Sequence, residues 1–113
     1  MTAKVFIDGE FGTTGLQIRA RLEDRRDITL ISLPEAQRKS RAARLDAFAE
    51  ADLGVLCLPD DAVRDIAPEL SALPVRLIDA STAHRTDPEW VFGFPEMTAG
   101  QRARIAAAKS VAN

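Results

Sequence analysis

The chain has 113 residues, enough for one domain with its own core, and a formal net charge of -2 from 15 basic and 17 acidic side chains. That balance provides no basic field for nucleic acid or for an anionic membrane surface, so neither is expected as a partner. A single cysteine, Cys57, forms no internal disulfide, the apolar runs are only strand-length, and no basic segment leads into a greasy N-terminal core; the expected compartment is the cytoplasm.

The most informative stretch is Lys4 to Leu22, KVFIDGEFGTTGLQIRARL. An apolar run, Val5-Phe6-Ile7, leads into Gly9, Gly12 and Gly15, a spacing that reads as strand, tight turn and helix start. Thr13 and Thr14 are expected to cap the helix, with Gly15, Ile18 and Leu22 inward and Arg19, Arg21 and Glu23 turned to water. A turn that delivers free backbone N–H groups to a helix N-terminus is an anion site, and one strand into an α/β domain the anion that suits it is a dinucleotide pyrophosphate. The spacing is GxxGxxG rather than GxGxxG, and a glycine-rich turn also serves as a tight connection that binds nothing.

The next strand is expected over Ile28 to Leu33. In NAD-selective folds an acidic residue near the end of this strand holds the ribose 2′-hydroxyl; here the position offers Ser32, followed by the basic run Arg38-Lys39-Ser40-Arg41. A guanidinium with a hydroxyl suits a 2′-phosphate, which favours NADP, although Glu35 leaves NAD open and the cations with Arg44 also read as a solvated helix face. Ser40 should cap a helix over Arg41 to Ala51 with Leu45, Phe48 and Ala49 inward. The third strand, Leu53 to Leu58, is apolar on both faces, as a strand covered by helices on both sides should be. Asp60 should cap a helix that buries Val63, Ile66, Ala67 and Leu70, and Pro68 should kink or restart it.

With a fourth strand at Val75 to Asp79, the alternation predicts an α/β fold: a Rossmann-type doubly wound, mainly parallel sheet with helices on both faces. The long irregular stretch Ala80 to Met97 leaves the carboxyl edge of that sheet, where ligands bind, and there Ser81, His84 and Arg85 border a pocket or simply cap the sheet. Trp90 and Phe92 to Pro95 would pack beneath. Thr98 and Gln101 read as a capping box for a helix ending near Lys109, and Ser110 to Asn113 begins one more strand. Cys57 and His84 do not read as a nucleophile and its base, because a mid-strand thiol behaves as a small buried hydrophobe. The scattered acids with one histidine and one cysteine offer no metal ligand set.

Taken together, VFIDGEFGTTGLQI, LCLPDDA, IDASTAHR, WVFGFPEM and the closing SVAN resemble, in order and spacing, the N-terminal part of the N-acetyl-gamma-glutamyl-phosphate reductase family in its shorter bacterial form, within the wider semialdehyde dehydrogenase group. The resemblance implies an NADP-dependent oxidoreductase that interconverts N-acetylglutamyl phosphate and N-acetylglutamate semialdehyde in arginine biosynthesis, through a cysteine thioester. It assigns the turn residues Gly9, Phe11, Gly12, Thr13, Thr14 and Gly15 to the cofactor pyrophosphate and Ser32 with Arg38 to the 2′-phosphate region. Leu58 and Pro59 fall along the cofactor groove, and Ser81 near the nicotinamide end.

In that family the segment matching Val111-Ala112-Asn113 runs into Pro-Gly-Cys, whose cysteine is the nucleophile, and the general-base histidine lies further on. The expectation is therefore that residues 1–113 form the NAD(P)-binding domain, with no catalytic residue of their own and with the substrate domain absent. A small-molecule substrate would be handled only with that domain, and the exposed sheet edge predicts a homo-oligomer. A non-catalytic nucleotide-binding module, regulatory or redox-sensing, is the alternative from a different class; an interaction domain with no ligand is the third.

Overall fold

Apolar runs become strands and amphipathic stretches become helices across the residues that the computed structural model describes, 2–113. Strand β1 (Ala3–Asp8) leads through the glycine turn into helix α1 (Thr13–Leu22), followed by β2 (Ile28–Ile31), helix α2 (Arg41–Glu50), β3 (Leu53–Leu56), helix α3 (Asp60–Leu70) and β4 (Arg76–Asp79). A two-residue strand β5 (Val91–Phe92), a short helix α4 (Gln101–Ala107) and β6 (Ser110–Ala112) complete it. The six strands run in the order β2-β1-β3-β4-β6-β5, and every pairing is parallel.

Because β2 flanks β1 on one side and β3 on the other, the winding reverses at β1, and the helices divide between the two faces. Val5, Ile7 and Val55 pack with Ile18 and Leu22 of α1 on one face. Phe6, Leu56 and Leu77 pack with Phe48 of α2 and with Val63, Ile66 and Leu70 of α3 on the other. Alternation along β1 sends Val5 and Ile7 one way and Phe6 the other, so a strand buried on both faces reads as an unbroken apolar run. Phe48 is fully buried and meets the Phe6 ring edge-on, centroids 4.8 Å apart. Each such aromatic or aliphatic side chain contributes about 1.5–3 kcal/mol through burial.

Local expectations fail where tertiary partners outbid them. Gly12, not a threonine, is the N-cap of α1; no side chain caps that helix, and Thr13 and Thr14 sit exposed in its first turn. Asp60 is the first residue of α3 rather than its cap, and its carboxylate accepts instead from the backbone N–H and hydroxyl of Thr82. The Thr98–Gln101 box does not form: α4 starts after Gly100 in the left-handed region (φ 84°), and the buried Gln101 side chain donates to the Phe92 carbonyl. That helix ends at Ala107, short of Lys109. Ser40 does cap α2, its Oγ accepting from the Ala43 N–H at 3.3 Å.

In α2, Phe48 is buried and Leu45 packs against the same core as expected, joined by Ala47 and, just beyond the helix, Ala51, while Ala49 is exposed. Pro68 does not restart α3, since so close to the last turn it removes only one exposed ladder bond. β2 stops at Ile31, as Ser32 turns its hydroxyl to Glu10 and Pro34 has no N–H to extend the ladder. β3 ends at Leu56, although the Cys57 N–H still donates to the Asp8 carbonyl at 2.9 Å.

Candidate cofactor site

β1 and β3 are neighbours whose helices leave to opposite faces, so the loops at their carboxyl ends part and open a crevice. A cavity of about 320 Å³ lies there. Gly9 and Gly12 border it from the turn after β1, Leu58 and Ala62 from beyond β3, and Arg38 and Lys39 from the segment after β2.

The three glycines serve different ends. Gly9 adopts φ +87°, where a side chain is strained, and a Cβ there would strike the Cys57 carbonyl. A Cβ on Gly15 would overlap the Gly9 carbonyl, because α1 starts pressed against the turn. Both are demanded by the fold. Gly12 has ordinary extended dihedrals (φ -77°, ψ 173°), and a Cβ would sit 3.4 Å from the Gly9 oxygen, a normal contact. The fold can accept a side chain at Gly12; a ligand seated on the end of α1 cannot.

That helix end is electrically open. α1 has neither a side-chain cap nor an acidic residue in its first turn, so its leading N–H groups keep their positive character. α3 starts with Asp60 and Asp61, which neutralise its own. An uncapped helix end, a glycine turn and two cations on one cavity are what a dinucleotide's phosphates require, and the residues present fit that group.

Two buried acids stand at the same crevice. Asp8, at the end of β1, takes Nε and Nη2 of Arg44 on its two oxygens at 2.7–3.1 Å, and Arg44 reaches it from α2 as part of the cavity wall. Glu10 also lines the cavity; its Oε1 accepts from Ser32 Oγ at 2.6 Å, and its Oε2 lies 4.0 Å from Arg19 Nε. Arg19 is thus drawn in rather than turned to water. The exposed Phe11 ring makes cation–π contacts with two guanidinium groups, Arg38 at 3.8 Å and Arg19 at 5.0 Å from its centroid.

Of the residues singled out from sequence, Gly9, Phe11, Gly12, Arg38 and Leu58 share the cavity. Gly15 is buried behind the turn, and Thr13 and Thr14 lie beside the cavity without lining it. Ser32 faces a neighbouring groove but reaches the turn through Glu10, and Pro59 is the exposed N-cap of α3. Ser81 stands apart at the end of β4, its N–H donating to Asp79 Oδ1 at 2.8 Å. The basic run divides: Arg38, Lys39 and Arg44 face the cavity, while Arg41 pairs with Asp65 and Glu69 on α3. Sequence reasoning missed Asp8 and Glu10, and their only signal was an acid on either side of Gly9.

Beyond β4 the loop is tied to itself. Asp79, fully buried, meets His84 Nδ1 at 2.8 Å, and the imidazole stacks on Trp90, centroids 4.1 Å apart at 14°. Thr82 holds the loop to Asp60, whose carboxyl lies below the usual range chiefly because of the Thr82 hydroxyl. Cys57 is half-buried, and its thiol is pushed up to about 11, first by burial and then by the charges of Asp8 and Asp79. Such a thiol is not a nucleophile at neutral pH.

The sheet order and the glycine turn define a Rossmann-type domain. The family described as "Semialdehyde dehydrogenase, NAD binding domain" matches residues 29–106, and the chain belongs to that family. Among curated relatives it is 57% identical over 113 residues to the N-acetyl-gamma-glutamyl-phosphate reductase of Chelativorans sp. (strain BNC1), covering 100% of this chain and 36% of the relative. The reductase of Brucella suis is 54% identical over 114 residues, with 100% and 37% covered. The chain therefore spans little more than a third of the length of these relatives. Among solved structures, aspartate semialdehyde dehydrogenase from Francisella tularensis superposes with a TM-score of 0.71 at 18% identity, over 98% of this chain and 36% of that one. The enzyme from Candida albicans, whose structure was determined with NADP, gives 0.69 at 13% identity, over 93% and 37%. At that identity the two structures speak for the fold alone. No helix among the described residues is long and apolar enough to cross a membrane.

Proposed function

We propose that these 113 residues are the NADP-binding part of an N-acetyl-gamma-glutamyl-phosphate reductase of arginine biosynthesis, a cytoplasmic enzyme interconverting N-acetylglutamyl phosphate and N-acetylglutamate semialdehyde. The observation that carries the reading is the uncapped start of α1 opening on a cavity with Arg38 and Lys39, in a chain 57% identical along its length to such a reductase. In this reading the N–H groups after Gly12 hold the pyrophosphate, and Arg38, Lys39 and Ser32 serve the 2′-phosphate. Leu58 and Pro59 flank the cofactor and Ser81 stands toward its nicotinamide end. The cofactor when bound supplies the hydride; this segment orients it and keeps water from one side. Cys57, half-buried with its thiol near 11, takes no part, so the nucleophile and the substrate pocket belong to a further domain. Half-buried Leu53 and Ile78 border a groove beside α4, a face suited to self-association, so light scattering should give a homo-oligomer.

Thermal unfolding with each dinucleotide tests the cofactor. NADPH should raise Tm more than NADH, with a gain of about 2.7 kcal/mol at a hundred times Kd. Gly12→Val should leave the fold intact and abolish both gains, and Arg38→Ala should narrow the gap between them. Equal gains in the unaltered chain defeat the NADP preference. Cofactor binding that survived Gly12→Val would move the site elsewhere.

A further inference from the structure

At the end of β2, where an acid would meet a ribose 2′-hydroxyl, stands Ser32, and Glu35, the acid of the segment that follows, does not line the cavity. The structure supplies an acid there from another direction. Glu10, 5% exposed and part of the cavity wall, comes off the glycine turn and brings Oε1 within 2.6 Å of Ser32 Oγ. Its Oε2 accepts no hydrogen bond from a described residue, the nearest cation being Arg19 Nε at 4.0 Å.

We infer that Glu10, delivered by the turn after β1, is the residue that meets the 2′ position of the adenosine ribose and sets how far the site prefers NADPH over NADH. This rests on the dinucleotide reading above. Two opposed sets of charge then flank one position. A free 2′-hydroxyl donates to Glu10, whereas a 2′-phosphate is drawn by Arg38 and Lys39 and repelled by Glu10, and it must also compete with Glu10 for the Ser32 hydroxyl. Glu10 holds the NADPH preference down and keeps NADH as a ligand.

Calorimetric titration of the 113-residue chain with NADPH and with NADH decides this. Glu10→Gln keeps the side chain's shape and an acceptor for Ser32, and removes the charge. The ratio Kd(NADH)/Kd(NADPH) should rise about tenfold, the size of one charge-assisted hydrogen bond lost and one repulsion relieved. Ser32→Ala removes a donor to the phosphate and leaves the acid in place, so the same ratio should fall severalfold. If Glu10→Gln does not fold, Glu10→Ala is titrated in its place, with the same rise in the ratio expected. A purely structural role for Glu10 would weaken both ligands equally, and an unmoved ratio in a chain that still binds overturns the inference. An unaltered chain that bound neither dinucleotide would overturn the cofactor reading as well, so the two failures are distinguishable.

Discussion

Asp8 and Asp79 end two strands that flank β3, and both pair in register with Leu56, so they stand level on the sheet's carboxyl edge. Both are buried, yet their surroundings differ in kind. Asp8 takes its partner from far along the chain, Arg44 on α2; within its own turn Gly12 N–H donates to the Gly9 carbonyl, and the start of α1 stays without a side-chain cap beside a cavity. Asp79 takes its partner from five residues on, and the loop's donors are spent as well: Ser81 N–H on Asp79, Ala83 N–H on Ser81 Oγ, and Thr82 N–H on Asp60 at the start of α3. The difference teaches what makes a strand end a site. Where distant elements satisfy the buried charge, the uncapped helix start remains for a ligand; where the loop satisfies it, the edge is sealed and becomes a buttress.

The largest effect should come from breaking the open end. Arg44→Met removes both donors, Nε and Nη2, from a buried carboxylate and leaves it uncompensated, which should cost about 3–5 kcal/mol in urea unfolding. The paired change Asp8→Asn with Arg44→Met should recover much of that loss, because no buried charge is then stranded. A loss below about 1 kcal/mol for Arg44→Met would mean that Asp8 finds water or another donor, and the contrast between the two ends would fail.

A smaller loss is expected at the sealed end. His84→Ala strips one oxygen of fully buried Asp79 of its partner and removes the stack on Trp90, while Ser81 N–H still serves the other oxygen. The cost should be about 2–4 kcal/mol, from an unpaired acceptor and a lost aromatic contact. His84→Phe keeps the stack and loses only the hydrogen bond, so it should fall between His84→Ala and the unaltered chain. NADPH affinity should not change with either. A loss of cofactor binding as large as that of Gly12→Val would show that the loop after β4 carries as much of the cofactor as the glycine turn does.

The same contrast explains what sequence could show. The sheet was legible because β1, β3 and β4 are apolar runs closed by turn residues, and because the spacing of Val63, Ile66 and Leu70 marks one helix face. β5 was not, since two residues carry no period. Capping patterns misled wherever a side chain had a distant partner: Asp60 answers to Thr82, 22 residues on, and Gln101 turns back to Phe92. The glycine turn and Arg38 could be singled out because motif and strand end are local in the chain, Leu58 came only with the family resemblance, and all of them border one cavity. Glu10 with Ser32 and Asp8 with Arg44 are separated by 22 and 36 residues, and only the folded sheet brings them together.

The smallest effect is the one that reports on both ends at once. Cys57 follows Leu56, the residue in register with both aspartates, and its thiol near 11 owes its shift first to burial, then to Asp8 and then to Asp79. At pH 8 only about one thiol in a thousand would be ionised, so iodoacetamide should react on the order of a hundredfold more slowly than with an ordinary cysteine of pKa about 8.5. The rate should climb roughly tenfold per pH unit until about pH 11. Removing a nearby negative charge favours the thiolate, so Asp8→Asn and Asp79→Asn should each lower the thiol's pKa and speed alkylation at fixed pH. Asp8→Asn should do so more, because Asp8 is the larger of the two charge effects. Rates measured across pH 7–11 on folded protein, with Cys57→Ser as the blank, give the order directly. Rapid alkylation of the unaltered chain at pH 7 would contradict the burial itself, and would return Cys57 to consideration as a nucleophile.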